Sequence, residues 1–482
     1  MHQKPSSALR NFSFGLSAQL LIKLFSFVFN VFVVRTLGDE AFGRYSAINA
    51  YGQIFLFMAD LGLSTYAVRL VAQTRDRPGG MAQVSKLLAN LVALRLVLSL
   101  ASAGMAIGSA WLTGRPGIFL AAMALNAVSL LMYAIQSSSG VVLSGLERMD
   151  KTSKAQVLFQ FCFVVFGTIA LVSNSGYIGL IIANIAAVII LTAVTVRAVQ
   201  GEGLSLRGAD VRDWLPLLRA AAPFAVLSLA LGLSYKFDSV LIENFQGSKA
   251  TGYYNAAYNL VFNCVLFSNV LNTTLYPTLT RQAATDPAGL GKSYERALRY
   301  LLIVALPLTV GIYMLSDDLI PFLFKEQFLP AANALKILIW VVPLQYVSEF
   351  LGYVILIAQR ERIVARSVVI SSLVNVAANL IVIPSHGFMG AAVMTLVTEA
   401  VLVGQYVFLL RDQLRVLNWR RFFVRPMACA AVLAIVLAVT MAWPWQARAV
   451  AGGFAYVAAL VVLKTIGREE IDFIRRLRPR AA

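Results

Sequence analysis

Long apolar blocks alternate with short polar breaks along nearly the whole chain. "GTIALVSNSGYIGLIIANIAAVIILTAV" (167–194) and "MACAAVLAIVLAVTMAW" (427–443) are representative. A helix needs about 20 residues to cross the hydrocarbon of a bilayer. Only helices and closed barrels satisfy their own backbone there. Barrel strands are alternating stretches of about 10 residues, whereas these blocks are longer and uniformly apolar. The pattern therefore predicts an all-α polytopic membrane protein. Its fourteen spans fall at about 11–34, 45–68, 87–112, 117–140, 155–174, 177–197, 218–243, 253–278, 295–315, 331–357, 364–384, 388–410, 426–444 and 447–464. The breaks are too short to hold a soluble catalytic domain. The first apolar run is too long for a signal peptide and no A-x-A-like site follows it, so it is expected to remain as the first helix.

The pattern also repeats. "FGRYSAINAY" (42–51) and "TGYYNAAYNL" (251–260) align Gly43, Tyr45 and Ala47 with Gly252, Tyr254 and Ala256, at an offset of 209. "SNSGYIGLII" (173–182) and "PSHGFMGAAV" (384–393) align Gly176 and Gly179 with Gly387 and Gly390, at an offset of 211. Six crossings return the chain to its starting side, so the halves form a parallel repeat, an arrangement known among transporters. The expected organisation is an N-terminal lobe of spans 1–6 (1–199), a cytoplasmic linker (200–217) and a C-terminal lobe of spans 7–12 (218–411). Residues 412–482 add spans 13 and 14 and a basic tail. The lobes are expected to be pseudo-symmetric around a central cavity, and the later part of the linker to form an interfacial amphipathic helix.

Charge fixes the orientation. Of 482 residues 59% are hydrophobic and only 13% charged, against about 25% in soluble domains. The net charge is +18, and its placement is uneven. With the N-terminus inside, 31 Lys and Arg fall on the cytoplasmic side and six outside: Arg35, Arg44, Arg115, Lys249, Lys325 and Arg448. That asymmetry follows the positive-inside rule and predicts two cytoplasmic termini. No basic face on a folded module suggests nucleic acid, so the basic loops read as topology and lipid headgroup contact. Cys162, Cys264 and Cys429 lie within spans, and with His2 and His386 they form no disulfide or metal pattern. No cofactor is expected.

Polar residues recur on single helix faces. Ser46, Asn49, Gln53, Asp60 and Ser64 share one face of span 2. Asn126, Ser129, Tyr133 and Ser137 do so in span 4, and Asn255, Asn259, Asn263, Asn269 and Asn272 mark the repeat-related span 8. Asn30, Gln345, Ser348, Glu349, Thr398 and Glu399 add to the set. Interhelical hydrogen bonding explains any one stripe. Stripes in both halves, with acids among them, point to a solvated cavity. Charges inside spans sharpen this, because each costs at least about 2.5–3.5 kcal/mol at mid-bilayer and so faces a bundle interior. Lys23, Arg95 and Lys236 could meet an anionic substrate or a carboxylate of another span. Snorkelling is the alternative, and the expected fate of Lys336. Asp60, Asp238, Glu349 and Glu399 could pair with the cations or carry a coupling proton or Na⁺.

"VFNVFVVRTLGDEAFGRYSAINAYGQIFLFMADLGLSTYAVR" (28–69) resembles the start of the bacterial polysaccharide flippases. This family exports O-antigen and exopolysaccharide units within the multidrug/oligosaccharidyl-lipid/polysaccharide exporter superfamily. The elements that carry the resemblance are Leu37-Gly38-Asp39-Glu40, Phe42-Gly43, Tyr45 and Asp60-Leu61-Gly62, with "GYIG" and "GFMG" as glycine-rich turns. The resemblance implies a flippase, not an enzyme. It would move undecaprenyl-diphosphate-linked oligosaccharide across the bacterial inner membrane by alternating access, for lipopolysaccharide or exopolysaccharide synthesis. Lys23, Arg95 and Lys236 would then meet the diphosphate. The implied partners are the lipid-linked oligosaccharide, membrane lipids, a polysaccharide polymerase and a chain-length regulator. The fourteen spans are also similar to the lipid II flippases, whose two extra helices extend a lipid-tail groove. Competing readings are a multidrug exporter, which would favour acidic cavities, and a membrane glycosyltransferase or polymerase, which would carry larger outside loops.

Overall fold

The computed structural model describes the backbone of residues 5–286, 289–414, 417–418 and 420–465; for 5–22, 24, 266 and 421 only the backbone is described. The described residues contain helices and no strand. In chain order these are α1 (Pro5–Asp60), α2 (Leu63–Thr74), α3 (Gly80–Leu112), α4 (Gly117–Gly145), α5 (Met149–Val172), α6 (Gly176–Gln200), α7 (Trp214–Gln246) and α8 (Ser248–Thr285). There follow α9 (Leu290–Phe324), α10 (Pro330–Leu338), α11 (Val341–Ile357), α12 (Glu361–Leu409), α13 (Arg411–Leu414), α14 (Arg425–Val439) and α15 (Trp445–Val462).

All fourteen expected spans are helical among the described residues. α1 carries the first two, separated at Gly38, and α12 carries the eleventh and twelfth, separated at Gly387. α10 and α11 together make the tenth. Among the described residues ten helical segments are long and apolar enough to cross a membrane, and α1 with α2 passes as one span bent by 41°. α8 does not pass, because its asparagine stripe lowers its hydropathy. Large apolar side chains such as Phe161, Val439 and Phe454 remain on the outer surface, where hydrocarbon suits them. The protein is a multi-pass membrane protein.

The repeat extends to backbone conformation. Gly38 (φ 77, ψ 176) and Gly247 (φ 81, ψ −177) break the chain in the same way between the first and second spans of each half. This region of φ is open to glycine and costly for other residues. Gly176 (φ 61) and Gly387 (φ 57) match again. So do Glu147 (φ 62) and Gln359 (φ 60), which are not glycines. Each of these two closes a helix with the same pair of backbone bonds. Arg148 N–H donates to Leu143 (2.8 Å) and Glu147 N–H to Ser144 (3.0 Å); Arg360 N–H donates to Ile355 (3.1 Å) and Gln359 N–H to Leu356 (2.9 Å). These bonds satisfy carbonyls that a helix end would leave unpaired.

The chain packs as two units. One comprises the described residues up to Asn255 together with Val368–Ala391; the other comprises Ala256–Ser367 and the described residues from Ala392 onward. In the first, Leu63, Ala67 and Val71 of α2 interlock with Leu88 and Leu91 of α3 and with Leu143 of α4. Ala47, Ile48 and Tyr51 of α1 pack with Ala110, Phe119 and Ile181. In the second, Leu315 of α9 packs with Cys429, Leu433 and Leu437 of α14 and with Tyr456 and Leu460 of α15. The two C-terminal spans are thus docked on α9.

Between α6 and α7 the linker is tied to the ends of α3 and α5. Glu202 accepts from Lys151 Nζ (2.6 Å) and pairs with Arg148 Nε (3.1 Å). Ser205 N–H donates to Ser85 Oγ (2.9 Å), and Asn90 Oδ1 accepts from the N–H of Asp210 (2.7 Å). Lys86 reaches Asp213 at 2.7 Å. The expected interfacial helix is instead a single turn, Val211–Asp213, which runs directly into α7. The Asp210 carboxylate caps that turn, accepting from Arg212 N–H at 3.0 Å, so the helical segment that begins there is continuous with α7 and not a separate element.

Candidate functional site

The motif Asp60-Leu61-Gly62 ends α1. Leu61 (φ 42) and Gly62 (φ 74) both leave the helical region, and α2 departs at an angle. A side chain at Gly62 would lie 2.5 Å from the backbone nitrogen of Ala225, so α2 starts hard against α7. The break sets the Asp60 carboxylate and the Ser64 hydroxyl side by side, with Ser64 Oγ donating to Asp60 Oδ1 at 2.6 Å.

Arg95 of α3 reaches this pair from within the bundle, and its side chain is only 2% exposed. Nη2 donates to Asp60 Oδ1 (2.6 Å) and Ser64 Oγ (2.9 Å). Nη1 donates to Ser137 Oγ (3.1 Å) and Ser138 Oγ (3.3 Å) of α4. A guanidinium has five N–H donors. Four are engaged here, while Nε is buried without a partner. The burial of such a cation is tolerable only because a carboxylate compensates it and hydroxyls satisfy its remaining donors.

Beside the pair lies a cavity of about 370 Å³, within the usual range for ligand pockets. α1 and α2 give it Phe57, Asp60, Ser64 and Thr65; α3 gives Arg95 and Ser99. α4 adds Tyr133, Gln136 and Ser137, and α7 adds Ser228. The polar stripes read from spans 2 and 4 therefore meet at one place, with Asp60, Ser64, Tyr133 and Ser137 on its wall and Arg95 between them. Asn49 and Asn126 are half-buried on the same helices, and Gln53 is exposed. Gly52 leaves room for Asn126, whose Nδ2 would be 2.6 Å from a side chain placed there.

The other candidates lie elsewhere. Lys23 is exposed on α1, Asn30 half-buried, and Lys236 half-buried on α7; none lines this cavity. Asp238 is buried in a separate cluster, accepting from Tyr254 Oη and from Ser239 N–H (2.7 Å). Asn255 belongs to that cluster, donating to the Thr251 carbonyl at 3.0 Å. Asn259, Asn263 and Gln345 are half-buried. Glu349 accepts from Ser268 Oγ (2.6 Å) and Asn269 Nδ2 (3.3 Å), and Glu399 accepts from Ser348 Oγ. Asn269 follows Asp60 by 209 residues and Glu349 follows Ser138 by 211. The equivalent positions of the two halves thus both carry a polar network, an Asp–Arg pair in the first and a Glu–amide set in the second. Among the described residues no group of His, Cys, Asp and Glu is placed to hold a metal ion.

Two features escape sequence reasoning. Ser99, Gln136 and Ser228 line the cavity but belong to no stripe, and only packing reveals them. Arg115, counted for topology alone, is paired with Glu243 at 2.9 Å and also donates to Asn244 Oδ1 at 2.9 Å. Glu243 is 1% exposed and also accepts from Ser248 Oγ at 2.9 Å. An acidic residue at a span end and an arginine in a four-residue break were the only available signals.

Comparison with known proteins agrees with this architecture. The model of the polysaccharide biosynthesis protein family matches residues 8–282. The probable low-salt glycan biosynthesis flippase Agl15 of Haloferax volcanii is 24% identical over 393 residues, covering 80% of this chain and 81% of that protein. The teichuronic acid biosynthesis protein TuaB of Bacillus subtilis is 29% identical over 124 residues, 26% of each chain. Among solved structures, the lipid II flippase MurJ in an inward closed conformation has a TM-score of 0.79 at 13% identity, covering 96% of this chain and 100% of that one. An inward-facing MATE family multidrug resistance transporter of the MOP superfamily has a TM-score of 0.65 at 13% identity, covering 82% and 95%. The two structures share this fold. The named activities among these relatives are those of flippases and transporters, not enzymes.

Proposed function

The chain belongs to the polysaccharide biosynthesis protein family, and on that premise we propose that it is a flippase for a lipid-linked oligosaccharide. The cargo is a glycan repeat unit on undecaprenyl diphosphate, carried across the bacterial inner membrane by alternating access, with both termini cytoplasmic. One observation carries the reading: a buried charge pair opens onto a cavity with hydroxyl and amide groups on its wall, inside helices whose outer surfaces are apolar. A glycan headgroup crossing about 30 Å of hydrocarbon unaided would leave its hydroxyls and phosphates without hydrogen-bond partners. A helix bundle with polar walls replaces those partners while the lipid tail stays in the bilayer.

Lys23 and Lys236 are the proposed cations for the diphosphate. An ammonium supplies a compact charge with rotatable donors, suited to a ligand that must also leave. Arg95 fits that role less well, because Asp60 already balances its charge. Asp238, Glu349 and Glu399, each held by hydroxyl or amide donors, are the proposed sites of a coupling proton or Na⁺. The test is complementation of a flippase-null strain, with membrane levels of each variant measured in parallel. Lys236→Ala is expected to abolish glycan export at normal membrane level, and Lys236→Arg to retain part of it. Failure of the unaltered protein to restore any lipid-linked glycan export would overturn the proposal.

A further inference from the structure

We infer that the cavity beside Arg95 is a subsite for an uncharged, hydroxyl-rich group, a sugar ring of the transported glycan; the inference rests on the flippase reading above. The charge of the site is already closed. Asp60 lies 2.6 Å from Arg95, so the pair presents no net cation to a ligand. A phosphate entering here would stand beside the Asp60 carboxylate and compete with it for donors that Ser64, Ser137 and Ser138 also fill in turn. The cavity therefore disfavours an anion.

It retains unused hydrogen-bonding capacity of another kind. Ser99 is 1% exposed and its hydroxyl has no partner; Arg95 Nε is likewise buried and unpartnered. Both residues line the cavity. Buried polar atoms are nearly always paired, so two unpaired atoms on cavity-lining residues leave hydrogen-bonding capacity that a ligand gains when either side chain turns toward the cavity. A serine hydroxyl both donates and accepts, and Nε only donates. A sugar hydroxyl, which also does both, can serve each of them, and unlike a phosphate oxygen, which could accept from both, it sets no second anion beside Asp60. Gln136 and Ser228 add an amide and a further hydroxyl to the wall. Phe57 and Tyr133 supply aromatic rings on which the C–H face of a pyranose can rest. Polar atoms that fix orientation set among apolar and aromatic walls are the usual make-up of a small-molecule site.

The test uses the purified full chain in lipid nanodiscs and two probes: lipid-linked glycan extracted from the native membranes, and undecaprenyl diphosphate without sugar. Ser99→Ala and Gln136→Ala should each weaken binding of the glycan-bearing lipid by about tenfold, the scale of one hydrogen bond lost in a buried site. Binding of undecaprenyl diphosphate should be unchanged. Ser99→Thr, which keeps the hydroxyl, should retain most of the affinity, and Ser228→Phe, which fills the space, should lose it. Equal weakening for both probes would place the diphosphate in the cavity and overturn the subsite. Unchanged binding by every variant would make the cavity a water-filled space and overturn it too. Both results would leave the flippase reading standing. Failure of the unaltered protein to bind either lipid would overturn that reading and the subsite together.

Discussion

Gly43 and Gly252, 209 residues apart in the chain, lie against each other. A side chain on Gly43 would stand 1.6 Å from the carbonyl oxygen of Ser248, and one on Gly252 would stand 2.2 Å from the carbonyl oxygen of Asp39. Asp39 and Ser248 are themselves 209 apart. The two copies of the repeated motif therefore meet through reciprocal contacts, each glycine admitting the backbone of the other copy. Close backbone approach at small residues is how membrane helices gain packing without a hydrophobic drive.

This contact predicts a sharp steric limit. Gly43→Ala should destabilise the purified protein by about 1–3 kcal/mol, the usual cost of overpacking. The obstacle is backbone, which cannot rotate away. Gly104 is the control: nothing lies within 4 Å of a side chain placed there. Gly104→Ala should cost nothing, since alanine is the better helix former. Thermal unfolding in one detergent checks both, and equal melting temperatures for the two variants would refute the close contact.

The asparagine stripe of α8 should divide in its accessibility. Asn255 is 4% exposed and Leu260 6%, whereas Asn259 and Asn263 are half-buried. Single cysteines at Asn259 and Asn263 should react with a hydrophilic maleimide, and those at Asn255 and Leu260 should resist it. Protection of all four would mean that the stripe serves helix packing alone. Cysteine at exposed Lys249 should label from outside intact cells, and at Arg362 only after permeabilisation; the reverse would invert the topology.

Much of this was legible in the sequence because the physics acting there is local. Span length is set by the bilayer, so apolar blocks announced the helices, and the glycine-rich turn at Gly387 announced one break, while the break at Gly38 is seen only in the backbone. Stripe periodicity put Asp60, Ser64, Tyr133 and Ser137 on polar helix faces, and it is packing that turns those faces to one cavity. The sequence offered Asp60 as a partner for one of the cations but not which one, since periodicity says which face a residue occupies and not which helix that face meets. Asn255 shows the same limit from the other side. Its stripe suggested water, and packing against the Asp238 cluster decided otherwise. Ser99 and Ser228 carry no pattern at all and became visible only as neighbours of Arg95 and Phe57.

The linker should be held down by Glu202. The hydrogen bond from Lys151, with Arg148 beside it, holds the Glu202 carboxyl below its ordinary range. A lowered carboxylate pKa contributes its tie above the ordinary value and loses it as pH falls through the lowered one. Glu202→Gln should therefore speed hydrogen exchange of the amides at 203–210 by about two- to fivefold at neutral pH, the scale of an exposed ion pair. The difference from the unaltered protein should vanish in acid. Exchange rates that match at neutral pH would show that Ser85 and Asn90 hold the linker without it.

The Asp60–Arg95 pair should behave as a unit. Asp60→Asn leaves a guanidinium buried among serine hydroxyls with no anion to balance it. Removing one partner of a buried pair costs about 3–5 kcal/mol. The Asp60 side chain is 23% exposed to the cavity, so screening there puts the expected loss toward the lower end of that range. Arg95→Gln instead leaves the carboxylate with Ser64 and the cavity, a milder loss. The double variant Asp60→Asn/Arg95→Gln removes both charges and keeps hydrogen-bonding groups of similar size, so it should be more stable than Asp60→Asn alone. Contacting residues of this kind show coupling of about 0.5–3 kcal/mol in a double-mutant cycle, and this pair should lie in its upper half. Arg95→Lys adds a geometric test. An ammonium keeps the charge but lacks the planar fork, so it cannot span from Asp60 and Ser64 on one side to Ser137 and Ser138 on the other. It should retain the coupling to Asp60 and lose stability through α4. Thermal unfolding of the four cycle members and Arg95→Lys, in the same detergent, reads all of this. Strict additivity of the two single substitutions would mean that the carboxylate and guanidinium do not depend on each other, and the cavity would then present a free cation after all.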